Sequence, residues 1–270
     1  MKKLTPHIYG VLTMMNGLNG YLIENEGTYT LVDAGVKGFA SSVEKALSEL
    51  GKSWSDVKRI FITHAHPDHV GDLPNIQTKT NATTIAHRLD AAVIRGESPM
   101  GFANPAELGF FGRFMLNNVK GTALPVARVD QEVDDGQVLD SILEGATVVH
   151  LPGHSYGQVG LHLPSEKALI GGDVMMKMPW GFIMPLRPVS PDWNAVKASI
   201  KKAAALPVEN LMLGHGTPIL GSAQTQMQAF ANKKTSLRTY VRSDNRKCTY
   251  NTLITNREEL PHGTTPHPNQ

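Results

Sequence analysis

Short apolar runs alternate with helical periodicities along most of the chain. Residues 19–23 and 29–32 read as strands, with Glu26-Gly27 as the hairpin turn between them. Val43, Ala46, Leu47 and Leu50 recur at helical spacing, and Gly51 stops that helix. Ile60, Phe61 and Ile62 stand in a row within 59–63, the mark of a strand buried on both faces. A helix over 70–77, a strand over 83–86 and a helix over 88–95 follow. Residues 96–125 then break the rhythm: glycines and prolines are mixed with Met100, Phe102, Phe110, Phe111, Phe114 and Met115, which makes an apolar insertion rich in breakers. Beyond it the pattern predicts strands at 147–151, 159–163, 168–170 and 210–213, and helices at 192–205 and 224–237. Strand-rich stretches in both halves, separated by helices, predict an α/β fold in which two sheets stack with helices outside. The main domain is expected over 1–245. Residues 246–270 read as a polar C-terminal tail, proline-rich from Asn256.

Composition narrows the class. The chain has 270 residues, 41% hydrophobic and 19% charged, which excludes a disordered or fibrous protein. A net charge of +2, with no basic block interleaved with aromatics, gives no footprint for nucleic acid or an anionic membrane. No apolar run is long enough to span a bilayer, and no apolar core follows Lys2-Lys3, so the expected location is the cytoplasm. The single cysteine, Cys248, excludes an intrachain disulfide framework. Its polar setting, with no histidine near in sequence, argues against a thiol nucleophile.

Eleven histidines are the unusual feature, and their distribution is uneven. Thr63-His64-Ala65-His66-Pro67-Asp68-His69 directly follows the strand at 59–63 and puts four potential ligands at a strand end. Imidazole and carboxylate donors suit zinc, and also iron or manganese. In a loop, His64 and His66 can face one ion while Asp68 and His69 face another, with Pro67 and Gly71 helping the turn. His154, Asp173 and His215 repeat the setting: each sits just past a short apolar strand with glycine beside it, so the backbone can approach a crowded centre. The isolated His7, His87, His162, His262 and His267 read as ordinary surface or core residues. His150 reads the same way, because strand alternation turns it away from His154.

From about Asn19 to Ile219 the chain resembles the metallo-β-lactamase superfamily. The H-x-H-x-D-H block matches in full, and the downstream histidine, aspartate and histidine appear in the family's order. The resemblance implies an αββα four-layer sandwich with a two-metal site at one edge. His64, His66 and His154 would hold the first metal, Asp68, His69 and His215 the second, and Asp173 would bridge both. The cofactor expected is two zinc ions per chain. Asp33, in Leu31-Val32-Asp33-Ala34-Gly35, looks like the carboxylate that orients ligands from behind.

Two cations sharing a water make hydroxide available near neutral pH, and that nucleophile attacks a carbonyl carbon or a phosphorus while Asp68 orients it or passes on a proton. A bridging Asp173 resembles the glyoxalase II, lactonase and esterase branch rather than the β-lactamases. Met176 stands where lactonases of this type carry tyrosine. Glyoxalase II adds a helical domain with basic residues, whereas here Lys233, Lys234 and Arg238 read as a solvated helix face. Phe110, Phe111, Phe114 and Met115 of the insertion, with Met175, Met176, Met178, Trp180, Phe182 and Met184 after Asp173, are expected at the mouth of the site. An apolar mouth favours a hydrophobic ester or lactone of broad scope. Competing readings are a glyoxalase II-like thioester hydrolase, an iron-dependent redox enzyme on the same scaffold, and, for the insertion, a satellite core or a contact with a second copy.

Overall fold

The computed structural model describes residues 1–12 and 17–235. The tail at 246–270, Cys248, Arg238, His262 and His267 lie outside the described residues, as does the side chain of Lys234. Strands β1 (Lys2–Lys3), β2 (Ile8–Leu12), β3 (Asn19–Asn25), β4 (Thr28–Val32), β5 (Val57–Ile62), β6 (Thr83–His87) and β7 (Gln131–Val133) lie side by side in chain order as one sheet. Its first four strands pair antiparallel and β4 to β7 pair parallel. The β3–β4 hairpin turns on Glu26 and Gly27, with φ of 50° and 79°, the left-handed pair that such a two-residue turn requires.

The parallel pairs need crossovers, which helices α1 (Ala40–Glu49), α2 (Pro67–Val70), α3 (Leu73–Lys79), α4 (Arg88–Ile94) and α5 (Phe110–Val119) provide. The second sheet is built from β8 (Thr147–His150), β9 (Val159–Leu163) and β10 (Ala168–Ile170). A separate small hairpin, β11 (Met176–Met178) with β12 (Gly181–Ile183), comes next, then α6 (Trp193–Ala205). Strand β13 (Asn210–Met212) completes the second sheet in the order β13-β10-β9-β8, and α7 (Ala223–Thr235) follows.

Side-chain alternation along the strands sorts the core into layers. Leu22, Leu31, Ile60, Ile62 and Ala86 face a cluster with Val43 and Leu47 of α1, Leu73 and Ile76 of α3, and Ala91 and Ile94 of α4. Their neighbours Tyr21, Ile23, Val32, Phe61 and Ile85 face the other way, against Val148, Val159, Leu161, Ile170 and Met212 of the second sheet. The far face of that sheet, through Val149, Leu169 and Leu211, packs on Val196 and Ile200 of α6 and Met227 and Phe230 of α7. The result is helix, sheet, sheet, helix: the four-layer αββα sandwich. Each large apolar side chain buried in it contributes about 1.5–3 kcal/mol.

Three departures from the sequence reading have local causes. The helix expected over 70–77 is two helices, α2 and α3, separated at Gly71-Asp72. Pro67 opens α2 rather than ending a turn, because its fixed φ suits the first helical position. The insertion at 96–125 contains α5, whose Leu116 joins Ala103 and Leu108 in a small satellite core. Strands β1, β2, β7, β11 and β12 were not anticipated, since most are pieces of two or three residues whose pairing comes from tertiary context.

His87 ends β6 and is buried. Its Nδ1 accepts the Leu89 N–H at the start of α4, and its ring stacks on His150 at 4.2 Å and 11°. Burial, and then the neighbouring His150, push its pKa from 6.5 down to about 4, against the pull of Asp134. Between those values the unfolded chain takes a proton that the folded one refuses, so stability falls as pH drops from 6.5 towards 4. His87→Asn keeps a cap acceptor and removes the titration. Its Tm should decline less than the parent's between pH 7 and pH 4.5, and equal declines would show that His87 carries no such linkage.

Candidate metal centre

The seven residues singled out by spacing converge at one edge of the sandwich. His64, His66, Asp68 and His69 follow the C-terminal end of β5, the last two on the single turn of α2. His154 lies beyond β8, Asp173 beyond β10 and His215 beyond β13. Backbone bonds tie these strand ends to their neighbours: Val159 N–H, at the start of β9, to Thr63 O at 2.8 Å, Asn19 N–H, at the start of β3, to Gly214 O at 2.8 Å, and Gly214 N–H to Gly172 O at 2.9 Å. Potential ligand atoms lie within 4.8 Å of one another in each of three groups: His64, His66 and His154; Asp68, His69 and His215; and His64, His69 and Asp173. Asp173 Oδ2 is 3.5 Å from His154 Nε2 and 3.2 Å from His215 Nε2, so one carboxylate reaches both outer groups.

The partners behind the rings decide which nitrogens face the centre. Thr63 Oγ1 donates to Asp33 and therefore accepts from His64 Nδ1, 3.1 Å away. His69 Nδ1 donates to Asp33 Oδ2 at 2.8 Å, and His215 Nδ1 to the Gly17 carbonyl at 2.6 Å. His154 Nδ1 lies 3.0 Å from Ser190 Oγ. Each bond engages Nδ1 from behind and turns Nε2 towards the centre, where a bound cation would take its lone pair in place of a proton. His66 is turned the other way, with Nδ1 3.0 Å from His154 Nε2. Buried His64 Nε2, His66 Nε2, His69 Nε2 and Asp173 Oδ1 have no hydrogen bond among the described residues. Such atoms are costly in a protein interior unless a ligand uses them, and this donor set fits divalent cations such as zinc, iron or manganese.

Asp33 takes the expected place behind the ligands. It accepts from the Thr63 N–H, the Thr63 hydroxyl and His69, from a backbone position with φ of 63° that few side chains other than Asn or Asp adopt readily. Asp90 was missed. It is buried on α4 and accepts from Ala65 N–H and Ser155 Oγ through Oδ2 and from Gly157 N–H through Oδ1, so it joins the His64–His66 segment to the His154 loop. A single acidic residue in a helix gives no signal of this in sequence. Ser190 also went unnoticed, because it lies far along the chain in an irregular stretch. Gly214 is required by crowding: a Cβ there would collide with Asp173 Oδ1 and the His69 ring.

Charge is balanced within the cluster. Burial, and then the neighbouring His69 and His66, hold His64 well below the usual imidazole range. Burial opposes the charged form of His69, but Asp33, Asp173 and Asp68 outweigh it and raise its pKa. For His215, burial is likewise outweighed by hydrogen bonds to Asp173 and Asp68, which lift it to about 10. Burial opposes ionisation of Asp173 and Asp68 too, but these imidazoles outweigh it and push both below the carboxylate range. Protons and metal cations thus compete for the same nitrogens.

A cavity of about 950 Å³ opens onto Asp68, His66, His154, Asp173 and His215. Its other walls include Met100, Val119, Met176, Met178, Trp180 and Leu186. Part of the expected apolar mouth is therefore present. Phe110, Phe111 and Phe114 are not in its lining: they point outward from α5, 89%, 70% and 59% exposed. Met175, Phe182 and Met184 turn instead into the core between the second sheet and α6.

A layered sandwich with imidazole and carboxylate donors gathered at its strand ends defines a class of metal-dependent hydrolases. The chain belongs to the metallo-beta-lactamase superfamily, whose family model matches residues 17–215. The probable metallo-hydrolase YflN of Bacillus subtilis (strain 168) is 26% identical over 226 residues, covering 78% of this chain and 84% of the relative. The hydroxyacylglutathione hydrolase of Maricaulis maris (strain MCS10) is 26% identical over 163 residues, 60% of this chain and 49% of that one. The crystal structure of a metallo-beta-lactamase family protein from Thermus thermophilus superposes with a TM-score of 0.64 at 22% identity, covering 85% of this chain and 80% of that one. Among the described residues no helix is long and apolar enough to cross a membrane.

Asp33→Asn preserves the backbone conformation but removes an acceptor from Thr63 and His69. Zinc affinity measured by competition with a chromophoric chelator should weaken about 10–100-fold. Unchanged affinity would remove Asp33 from the site's support.

Proposed function

We propose that this protein is a two-metal hydrolase of hydrophobic esters or lactones, with zinc as the metal. The observation that carries the reading is Asp173, which reaches both histidine groups at the floor of a largely apolar cavity. His64, His66 and His154 would form one seat, Asp68, His69 and His215 the other, and Asp173 would span them. A bound metal pair supplies Lewis acidity and activates water. Asp68 faces the cavity and is held ionised, which suits it to orient an attacking water by accepting its hydrogen bond. Met176, Met178, Trp180 and Leu186 offer an acyl or aryl group an apolar wall and exclude bulk water from the reacting carbonyl.

A second reading is a thioester hydrolase of the glyoxalase II type, favoured by the relative named as a hydroxyacylglutathione hydrolase. The two differ in what the cavity must hold: a glutathione thioester brings charged groups, whereas the lining found here is largely apolar.

Asp173→Ala and His66→Ala should each lower metal content per chain, and Asp173→Ala should reduce ester turnover by about 100-fold or more. Full activity in a metal-free variant would refute the scheme. Metal-quantified protein should hydrolyse an aryl ester and a long-chain lactone with kcat/KM at least about tenfold above a glutathione thioester. Preference for the thioester would overturn the substrate assignment. Met178→Asp should cut kcat/KM on long-chain esters by about 10–100-fold and spare short acetate esters.

A further inference from the structure

Four of the five clustered histidines have their rear nitrogen committed to a partner, and the partner of His154 differs from the other three. His64 and His69 are held from the loops at the ends of β4 and β5, through Thr63 and Asp33, and His215 by a backbone carbonyl. His154 is held by Ser190, a fully buried side chain outside the strand-end loops, in the irregular stretch between β12 and α6. Ser190 closes a short turn, Arg187–Val189, whose neighbours Leu186 and Val189 line the apolar cavity.

The hydroxyl's geometry fixes the direction of each bond. Ser190 Oγ is 2.8 Å from the Leu186 carbonyl, which can only accept. A serine hydroxyl has one proton, so that proton goes to Leu186 O and Oγ must accept from His154 Nδ1 at 3.0 Å. His154 is therefore held as the Nδ1–H tautomer, with Nε2 turned inward, 3.0 Å from His66 Nδ1 and 3.5 Å from Asp173 Oδ2. The turn is itself anchored. Ser190 N–H donates to Arg187 O at 3.1 Å, Arg187 donates to Ser190 O at 2.8 Å, and Ala103 N–H donates to Pro188 O at 3.1 Å. Arg187 also pairs with Glu107 of the insertion and lies 5.2 Å from the Trp193 ring centroid.

We propose that Ser190 is the positioning residue for His154, and that it joins the apolar cavity wall to the His64–His66–His154 metal seat as one mechanical unit. The inference rests on the two-metal reading above. It assigns the insertion a part in metal binding, because the turn that aims His154 is braced by Ala103 and Glu107. A ligand aimed this way binds through a preset tautomer and ring angle, and losing such a partner weakens metal binding about 10–100-fold.

The test is a cycle of cobalt(II) titrations, followed by visible absorption, on the full chain. Ser190→Ala should weaken binding about 10–100-fold where His154 is present and leave it within about threefold in a His154→Ala background. Ser199→Ala is the control. It removes another buried hydroxyl, one that donates to Pro152 O at 2.7 Å in the loop before His154 without touching the ligand, and it should bind cobalt like the parent. Circular dichroism of each variant reports the fold independently. Parental affinity in Ser190→Ala, an equal loss in the His154→Ala background, or an equal loss in Ser199→Ala would each overturn the proposal while leaving the metal centre intact. A parent chain that binds no cobalt would instead overturn the metal centre itself.

Discussion

Five imidazoles and two carboxylates share one edge of the sandwich, and most of them are buried. Each polar atom taken from water without a partner costs on the order of 1–3 kcal/mol, and a charged one more. The protein meets this constraint on the outer side of the cluster and leaves it open on the inner side. Thr63, Asp33, Ser190 and the Gly17 carbonyl occupy the outward nitrogens of His64, His69, His154 and His215. The inward atoms converge on one another, and there Asp173 and Asp68 raise the pKa of His69 and of His215 against the cost of burial.

The sandwich serves this arrangement through the direction of its strands. Strands β5, β8, β10 and β13 all deliver candidate ligands from their C-terminal ends, and backbone bonds from Thr63 to Val159 and from Gly214 to Asn19 join the two sheets beside them. The close-packed layer between the sheets, centred on Tyr21, Phe61, Leu161 and Met212, keeps the two halves of the ligand set in register. Tyr21 links the layers directly, since its hydroxyl donates to the Leu213 carbonyl one residue before Gly214. The clustered side chains can then be placed from loops, because each of these loops begins at the end of a strand.

Much of this was legible in the sequence, for a physical reason. Ligands at strand ends leave a local signature: an apolar run, a glycine, then a histidine or aspartate. His154, Asp173 and His215 each carried it, and the crowded block from His64 to His69 has little structural use. Supporting groups left no such trace. Asp90 resembles any acidic residue on a helix, and Ser190 any serine in a loop; only tertiary contact reveals that each serves a ligand loop. The aromatic residues of the insertion misled for a related reason. Phe110, Phe111 and Phe114 are as apolar as Met178, but their direction depends on how α5 rotates against its satellite core, which the run 96–125 does not encode locally. The same limit hid the start of α2 at Pro67, ahead of the expected helix at 70–77, and the break at Gly71-Asp72 that separates α2 from α3.

The central claim is that seven side chains form two adjacent metal seats spanned by Asp173. Anomalous diffraction from a zinc-loaded crystal, collected on either side of the zinc edge, tests it most directly. The account predicts two peaks about 3.5–4 Å apart, one beside His64, His66 and His154, the other beside Asp68, His69 and His215. A single peak at full zinc saturation, or zinc bound away from these residues, would contradict it.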